Sequence, residues 1–202
     1  MFSGAQVSLY PMSDDFVGII LGALGSLDPW RGRLRIETDP LSTLMVGSPD
    51  VLFPAMRDMF HAAARSGVHT TMHATVSRGC PGEPDDPICT PVAGPWRDLP
   101  LSARVAACRD AVAAAARLEQ DIAAQLSLYP LGVGHHMDDI YGCIEFLKSS
   151  GTFDRSKSFC TALRGDGGPV FETLRQAFTG FGAEAGHLAM DVTVSANSPS
   201  DR

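Results

Sequence analysis

Charge is scarce in this chain, and what there is leans acidic: 19% of residues are charged, the formal net charge is -7 and the pI is near 5.2. Neutralising a phosphate backbone needs clustered Lys and Arg, so nucleic acid is not expected as a partner. Long apolar runs are also missing. The longest, Phe16 to Leu24, is about half of the roughly 20 residues that a membrane span requires, so it reads as a buried helix and no direct membrane insertion is expected. Met1-Phe2-Ser3-Gly4 has neither the basic region nor the small-residue cleavage site of a secretory leader, which makes the cytoplasm the expected address. The cysteines Cys80, Cys89, Cys108, Cys143 and Cys160 are odd in number and form no CxxC pair, which argues against a disulfide framework and a zinc knuckle. Reduced thiols are expected, although Cys80 and Cys89 share one Pro-rich loop and could close a bridge under oxidation.

What the chain does have is 45% hydrophobic residues, ample for packed cores, and an internal repeat. Ala5-Gln6-Val7-Ser8-Leu9-Tyr10-Pro11-Met12 recurs as Ala124-Gln125-Leu126-Ser127-Leu128-Tyr129-Pro130-Leu131, an offset of 119. Asp14-Asp15 with Gly18 recurs as Asp138-Asp139 with Gly142. At an offset of 118, Thr43, Gly47, Phe53 and Phe60 match Thr161, Gly165, Phe171 and Phe178. His69, Met72, Thr75, Val76 and Ser77 likewise match His187, Met190, Thr193, Val194 and Ser195.

Within the first copy, Ala5 to Tyr10 alternates apolar and polar side chains, the period of a half-buried strand. A helix follows, with Ser13 placed to cap it, Asp14 and Asp15 at the positive end of its dipole, and Phe16, Ile19, Ile20 and Ala23 on one face. Arg33–Thr38 and Leu41–Val46 flank Asp39-Pro40 and read as a hairpin, 49–66 has helical spacing, and 68–77 alternates again. The order βαββαβ predicts an α+β fold, a tandem repeat of two ferredoxin-like modules with antiparallel sheets, each sheet carrying its helices on one face. The organisation expected is a first repeat over 1–82, a Pro-rich linker and connecting helix over 83–121, and a second repeat over 122–202. The helix is expected from Leu101, Val105, Cys108, Val112 and Ala115, laid against one module.

Alternation places Gln6, Ser8, Tyr10, Gln125, Ser127 and Tyr129 on the open side of the sheet, joined by Thr71, His73, Thr75, Ser77 and their counterparts Ala189, Asp191, Thr193 and Ser195. His69 and His187 share that parity. Hydroxyls, amides, phenols and a histidine on such a face suit a small planar polar ligand. Metal is not expected. His69 and His73 lie four apart on a strand, which separates their side chains by roughly 13 Å, too far for one ion, and His135-His136 reads as a solvated loop pair. No catalytic constellation, cofactor motif or phosphate-cradling loop emerges. The acidic pairs are explained by helix-start electrostatics, Gly165-Asp166-Gly167-Gly168 reads as a turn without the P-loop Lys-Ser/Thr, and Arg78 and Arg164 read as surface arginines.

The strings Ser8-Leu9-Tyr10-Pro11-Met12-Ser13-Asp14-Asp15-Phe16, Gly79-Cys80-Pro81-Gly82 and Ser195-Ala196-Asn197-Ser198-Pro199-Ser200, with the duplicated SLYP strand and Ser42-Thr43, resemble the YkoF family of thiamine- and hydroxymethylpyrimidine-binding proteins. The resemblance spans nearly the whole chain. It implies a cytoplasmic, homodimeric, non-catalytic protein with one site per repeat for thiamine or its hydroxymethylpyrimidine moiety, serving uptake or salvage of that precursor and linked to an ABC-type uptake system. Carried over by position, it makes Ser8, Thr43, Ser127 and Thr161 the first-choice ligand contacts, with Gln6, Tyr10, Gln125 and Tyr129 behind them. Departures at Met12/Leu131, Ser42/Cys160 and His73/Asp191 predict unequal sites. The alternatives are an enzyme of pyrimidine or thiazole metabolism using Asp14 or His69 as acid/base groups, and a ligand-sensing regulatory module.

Overall fold

A computed structural model describes residues 3–79, 99–131, 136–182 and 187–201. The first copy runs β1 (Ser3–Pro11), α1 (Phe16–Gly25), β2 (Arg35–Thr38), β3 (Thr43–Val46), α2 (Pro49–Ala64) and β4 (Thr70–Arg78). After α3 (Leu101–Ala113), the second runs β5 (Asp121–Leu131), α4 (His136–Ser149), β6 (Phe153–Ser156), β7 (Thr161–Asp166), α5 (Gly167–Gly180) and β8 (His187–Ala196). Each copy has the βαββαβ order, and short 3-10 turns at Asp28–Trp30 and Pro199–Asp201 are additional to it.

The eight strands form one antiparallel sheet in the order β2-β3-β1-β4-β8-β5-β7-β6. Each half has the ferredoxin-like arrangement, with its first and third strands adjacent in the middle. The terminal strands β4 and β8 would each expose an edge of unpaired backbone groups; by pairing with one another they satisfy both edges. Ala74 pairs with Val192, its own repeat counterpart, so the junction is a pseudo-two-fold contact between like strands.

Burial follows the predicted parity. Met72, Ala74 and Val76 of β4 and Met190, Val192 and Val194 of β8 are buried beneath the helices. The repeat also acts across the copies. Phe53 of α2 packs on Phe178 of α5 with ring centroids 5.5 Å apart, and Phe60 packs on Phe171 at 6.0 Å. Because Phe53 corresponds to Phe171 and Phe60 to Phe178, the duplicated phenylalanines interlock the modules reciprocally. Tilted aromatic pairs of this kind are worth about 0.5–1.5 kcal/mol each beyond the area they bury. The connecting helix α3 buries Val105, Cys108 and Val112 and lies against α4 and α5 of the second module.

Several local expectations need correction. Ser13 does not cap α1: its hydroxyl accepts the N–H of Asp15 at 3.1 Å, a tight local turn that uses the oxygen before the helix begins at Phe16. His136 belongs to α4 rather than to a loop, because the helix starts ahead of Asp138 and Asp139 and so places both carboxylates in its first turn. His135, Cys80 and Cys89 lie outside the described residues.

Arg78 is not a surface arginine. It is buried, and its guanidinium donates to the carbonyls of Phe178 at 2.7 Å and Phe181 at 2.8 Å, closing the C-terminal end of α5. Arg164 does sit at the surface, where it meets Asp121 at 2.9 Å.

The Gly165–Gly168 segment has a structural use. Asp166 caps α5 through Gly168 N at 3.0 Å and also accepts from Leu118 N at 2.9 Å and Glu119 N at 2.8 Å. A Cβ on Gly168 would come 1.8 Å from the Ala116 carbonyl oxygen, so only glycine allows this close approach. Burial pushes the Asp166 carboxyl up, but the three N–H bonds and Arg117 outweigh it and hold it below the usual carboxylate range.

Candidate functional site

Strand length creates the site. Pairing of β1 with β3 ends at Val7↔Thr43, whereas β1 continues to Pro11. The β2–β3 hairpin turns away there, so the sheet opens beside the end of β1 and α1 forms the opposite wall. The resulting cavity of about 280 Å³ is lined by Val7, Leu9 and Tyr10 of β1, Phe16, Ile20 and Leu24 of α1, and 38–43 of the hairpin.

The second copy repeats this construction. Pairing of β5 with β7 ends at Leu126↔Thr161 while β5 continues to Leu131. A cavity of about 270 Å³ lies between Leu126–Tyr129, the α4 residues Ile140, Ile144 and Leu147, and the hairpin residues Ser156, Lys157, Phe159, Cys160 and Thr161.

The strand serines fix each hairpin in place. Ser8 Oγ donates to the Leu41 carbonyl at 3.0 Å, and Ser127 Oγ donates to the Phe159 carbonyl at 2.8 Å. Neighbouring glutamines assist with opposite ends of the amide. Gln6 Nε2 donates to Ser42 Oγ at 2.6 Å, whereas Gln125 Oε1 accepts from Lys157 Nζ at 3.0 Å and Cys160 Sγ at 3.7 Å. Within the first turn, Asp39 Oδ1 accepts the N–H groups of Leu41 and Ser42 at 2.7 and 2.9 Å. These bonds, Leu41 first, hold the Asp39 carboxyl below its ordinary range.

Of the residues singled out from sequence, Thr43 and Tyr10 line the first cavity, and Ser127, Thr161 and Tyr129 line the second. Ser8 stands behind the first hairpin, and Gln6 and Gln125 support the hairpins from the open face. Thr43 is buried, with its hydroxyl 3.1 Å from that of Thr38. Walled by α1 or α4, the matched cavities lie on the helix side of the sheet and reach its edge, where the open-face residues Tyr10, Ser127 and Tyr129 also contribute. A smaller cavity of about 200 Å³ does occur on the open face of the second copy, bordered by Gln125, Lys157, Thr193 and Ser195.

Most of the open-face polar residues of β4 and β8 instead stitch the modules together. His69 Nε2 lies 3.0 Å from Ser195 Oγ, His187 Nε2 lies 3.0 Å from Ser77 Oγ, and His73 Nε2 lies 2.8 Å from Asp191 Oδ2. The first two contacts are repeat counterparts, and the third joins counterpart positions at the axis. Neither Asp14 nor His69 lines either cavity, and Asp139 is paired with Arg104 of α3 at 3.2 Å. Among the described residues, no three or more His, Cys, Asp or Glu side chains gather in a way that could hold a metal ion. No described helix is long and apolar enough to cross a membrane.

Sequence reading missed Phe16, Ile20, Ile140 and Ile144 as cavity walls, since their helical spacing marks a core face whether or not a gap lies beneath it. It also missed the hairpin residues Leu41 and Phe159. Their signal was exposure of a large apolar side chain at a turn: Leu41 is 83% and Phe159 91% exposed.

The YKOF-related family matches this chain twice, over residues 2–83 and 121–201, so each match contains one hairpin and one cavity. The chain belongs to the YKOF-related family. It is also 34% identical over 201 residues to a protein of Bacillus subtilis (strain 168) named "Putative HMP/thiamine-binding protein YkoF", covering 98% of this chain and 92% of the relative. Family membership thus covers both copies and nearly the whole length.

Proposed function

We propose that this chain is a non-catalytic binding protein for thiamine or its hydroxymethylpyrimidine moiety, holding one ligand in each repeat and serving precursor uptake or salvage in the cytoplasm as a homodimer. The carrying observation is the pair of matched cavities, about 280 and 270 Å³, each formed where the first strand outruns the third. Both are near the roughly 300 Å³ lower end of small-molecule pockets, a size suited to a single ring or a compact two-ring compound. The relative's name supports the ligand class. An aminopyrimidine offers ring-nitrogen acceptors and an exocyclic amine donor in one plane, and it can be met in that plane by the backbone of β1 or β5 beyond the ladder and by the Thr43 or Thr161 hydroxyl. Apolar helix side chains would cover one ring face, and Leu41 or Phe159 the other.

Titration calorimetry of the full chain with thiamine and with hydroxymethylpyrimidine tests this reading. Two ligands bound per chain, with unequal affinities, is the expected result. Heat or thermal shift from neither compound at millimolar concentration would refute it, and turnover of either compound would favour an enzyme instead.

A further inference from the structure

Resting on that reading, we propose that the two cavities select by charge: the first takes the cationic ligand, and the second takes a phosphorylated, anionic one. The deciding residues are Asp39 and Lys157, which occupy corresponding hairpin positions. Asp39 lines the first cavity; Lys157 borders the second and also the smaller open-face cavity, on whose side its ammonium meets Gln125 and from which its exposed side chain can turn to a ligand in the second. Among the described lining residues, the first cavity has no Lys or Arg and the second no Asp or Glu. Each hairpin wall therefore presents one formal charge, and the signs are opposite.

Both groups keep capacity for a ligand. Asp39 uses Oδ1 for its bonds to Leu41, Ser42 N and Ser42 Oγ, which leaves Oδ2 outside the turn. Lys157 spends one proton on Gln125 Oε1 at 3.0 Å, and an ammonium has three. The acid closest in sequence to Lys157, Asp154, is occupied by Arg155 at 2.8 Å. A thiazolium ring carries a fixed positive charge, and a phosphate ester carries between one and two negative charges near neutrality. Hydroxymethylpyrimidine itself is neutral and should be indifferent to both charges, so it serves as the internal control. At an exposed cavity mouth the preference is modest and salt-screened, on the order of fivefold in affinity.

The test is calorimetry of thiamine, hydroxymethylpyrimidine and hydroxymethylpyrimidine phosphate against the full chain, Asp39→Asn and Lys157→Gln. Asparagine retains the oxygen that accepts from Leu41 and Ser42, and Lys157 is exposed, so both variants should fold. Alkylation of Cys160, followed by peptide mass spectrometry, reports occupancy of the second cavity alone because Cys160 lines it. Asp39→Asn should weaken thiamine about fivefold, and Lys157→Gln should weaken the phosphate ester about fivefold and raise the concentration that half-protects Cys160 by the same factor. In each variant the charged compound should lose about fivefold more affinity than the neutral pyrimidine does. Equal changes for charged and neutral compounds, or no change for the charged ones, would overturn selection by charge while leaving the cavities as ligand sites. Failure of all three compounds to bind the unaltered chain would overturn the binding reading itself.

Discussion

The two copies share a cavity frame but not its furniture. In both, a strand serine ties the hairpin carbonyl down, at 3.0 Å in the first and 2.8 Å in the second. The turn residues differ throughout: Asp39, Leu41 and Ser42 in the first stand where Lys157, Phe159 and Cys160 stand in the second. A frame set by strand lengths tolerates such exchange, because the hairpin backbone is held by the serine and the cross-turn bonds Asp39 N to Ser42 O and Lys157 N to Cys160 O, both 2.9 Å. Duplication therefore preserved the space and left its chemistry free to diverge.

The largest expected effect breaks both copies together. Phe178→Ala removes a fully buried ring that packs across the pseudo-two-fold onto Phe53, and should cost about 3–5 kcal/mol. Denaturant unfolding should remain a single transition in the variant. Two separated transitions would mean that the modules are stabilised independently, contrary to the continuous sheet.

A smaller loss should follow from Asp166→Ala, which strips three backbone N–H groups of their acceptor in the second copy only, roughly 1–2 kcal/mol at neutral pH. The folded carboxyl lies below its unfolded value, so its charge-linked stabilisation is full above about pH 4 and is lost as pH falls through the folded value. Melting curves of the parent and variant should thus converge toward acid. A constant gap from pH 7 down to pH 2 would deny the linkage.

The sequence showed the repeat and the strand parities, because alternation and recurrence are one-dimensional signals; it singled out Ser8 and Ser127 as ligand contacts, and their bonds to the hairpin carbonyls became visible only in the fold. The side of the sheet bearing the matched cavities was hidden from it. That side depends on where β3 stops relative to β1, a register fact, and on which polar groups are already used. His69, His73 and Ser77 looked available on their strand, yet each has a partner on β8 that only the pairing of strands more than a hundred residues apart reveals. Arg78 misled for the same reason: its carbonyl partners at Phe178 and Phe181 come from the other copy.

Phe159→Ala sharpens the contrast between the hairpins. Its ring is 91% exposed, so stability should hold, while affinity at the second site should fall by up to about tenfold as an aromatic cover is lost. A changed melting temperature with unchanged affinity would reverse that assignment.

The mildest test is chemical. Burial raises the Cys108 thiol to about 11 and pushes that of Cys143 higher still, so at pH 8 both should resist alkylation while the half-buried Cys160 reacts. Ligand should slow the reaction at Cys160. Cys143 also lines the second cavity but is buried, so its fast labelling would show that the cavity admits the reagent to its inner wall.

The most direct measurement is a crystal structure of the chain with hydroxymethylpyrimidine. The account predicts a pyrimidine ring in each copy on the helix side of the sheet, beside Thr43 and Leu41 in the first and beside Thr161 and Phe159 in the second. A ring bound instead on the open face, against Gln125, Thr193 and Ser195, would contradict it.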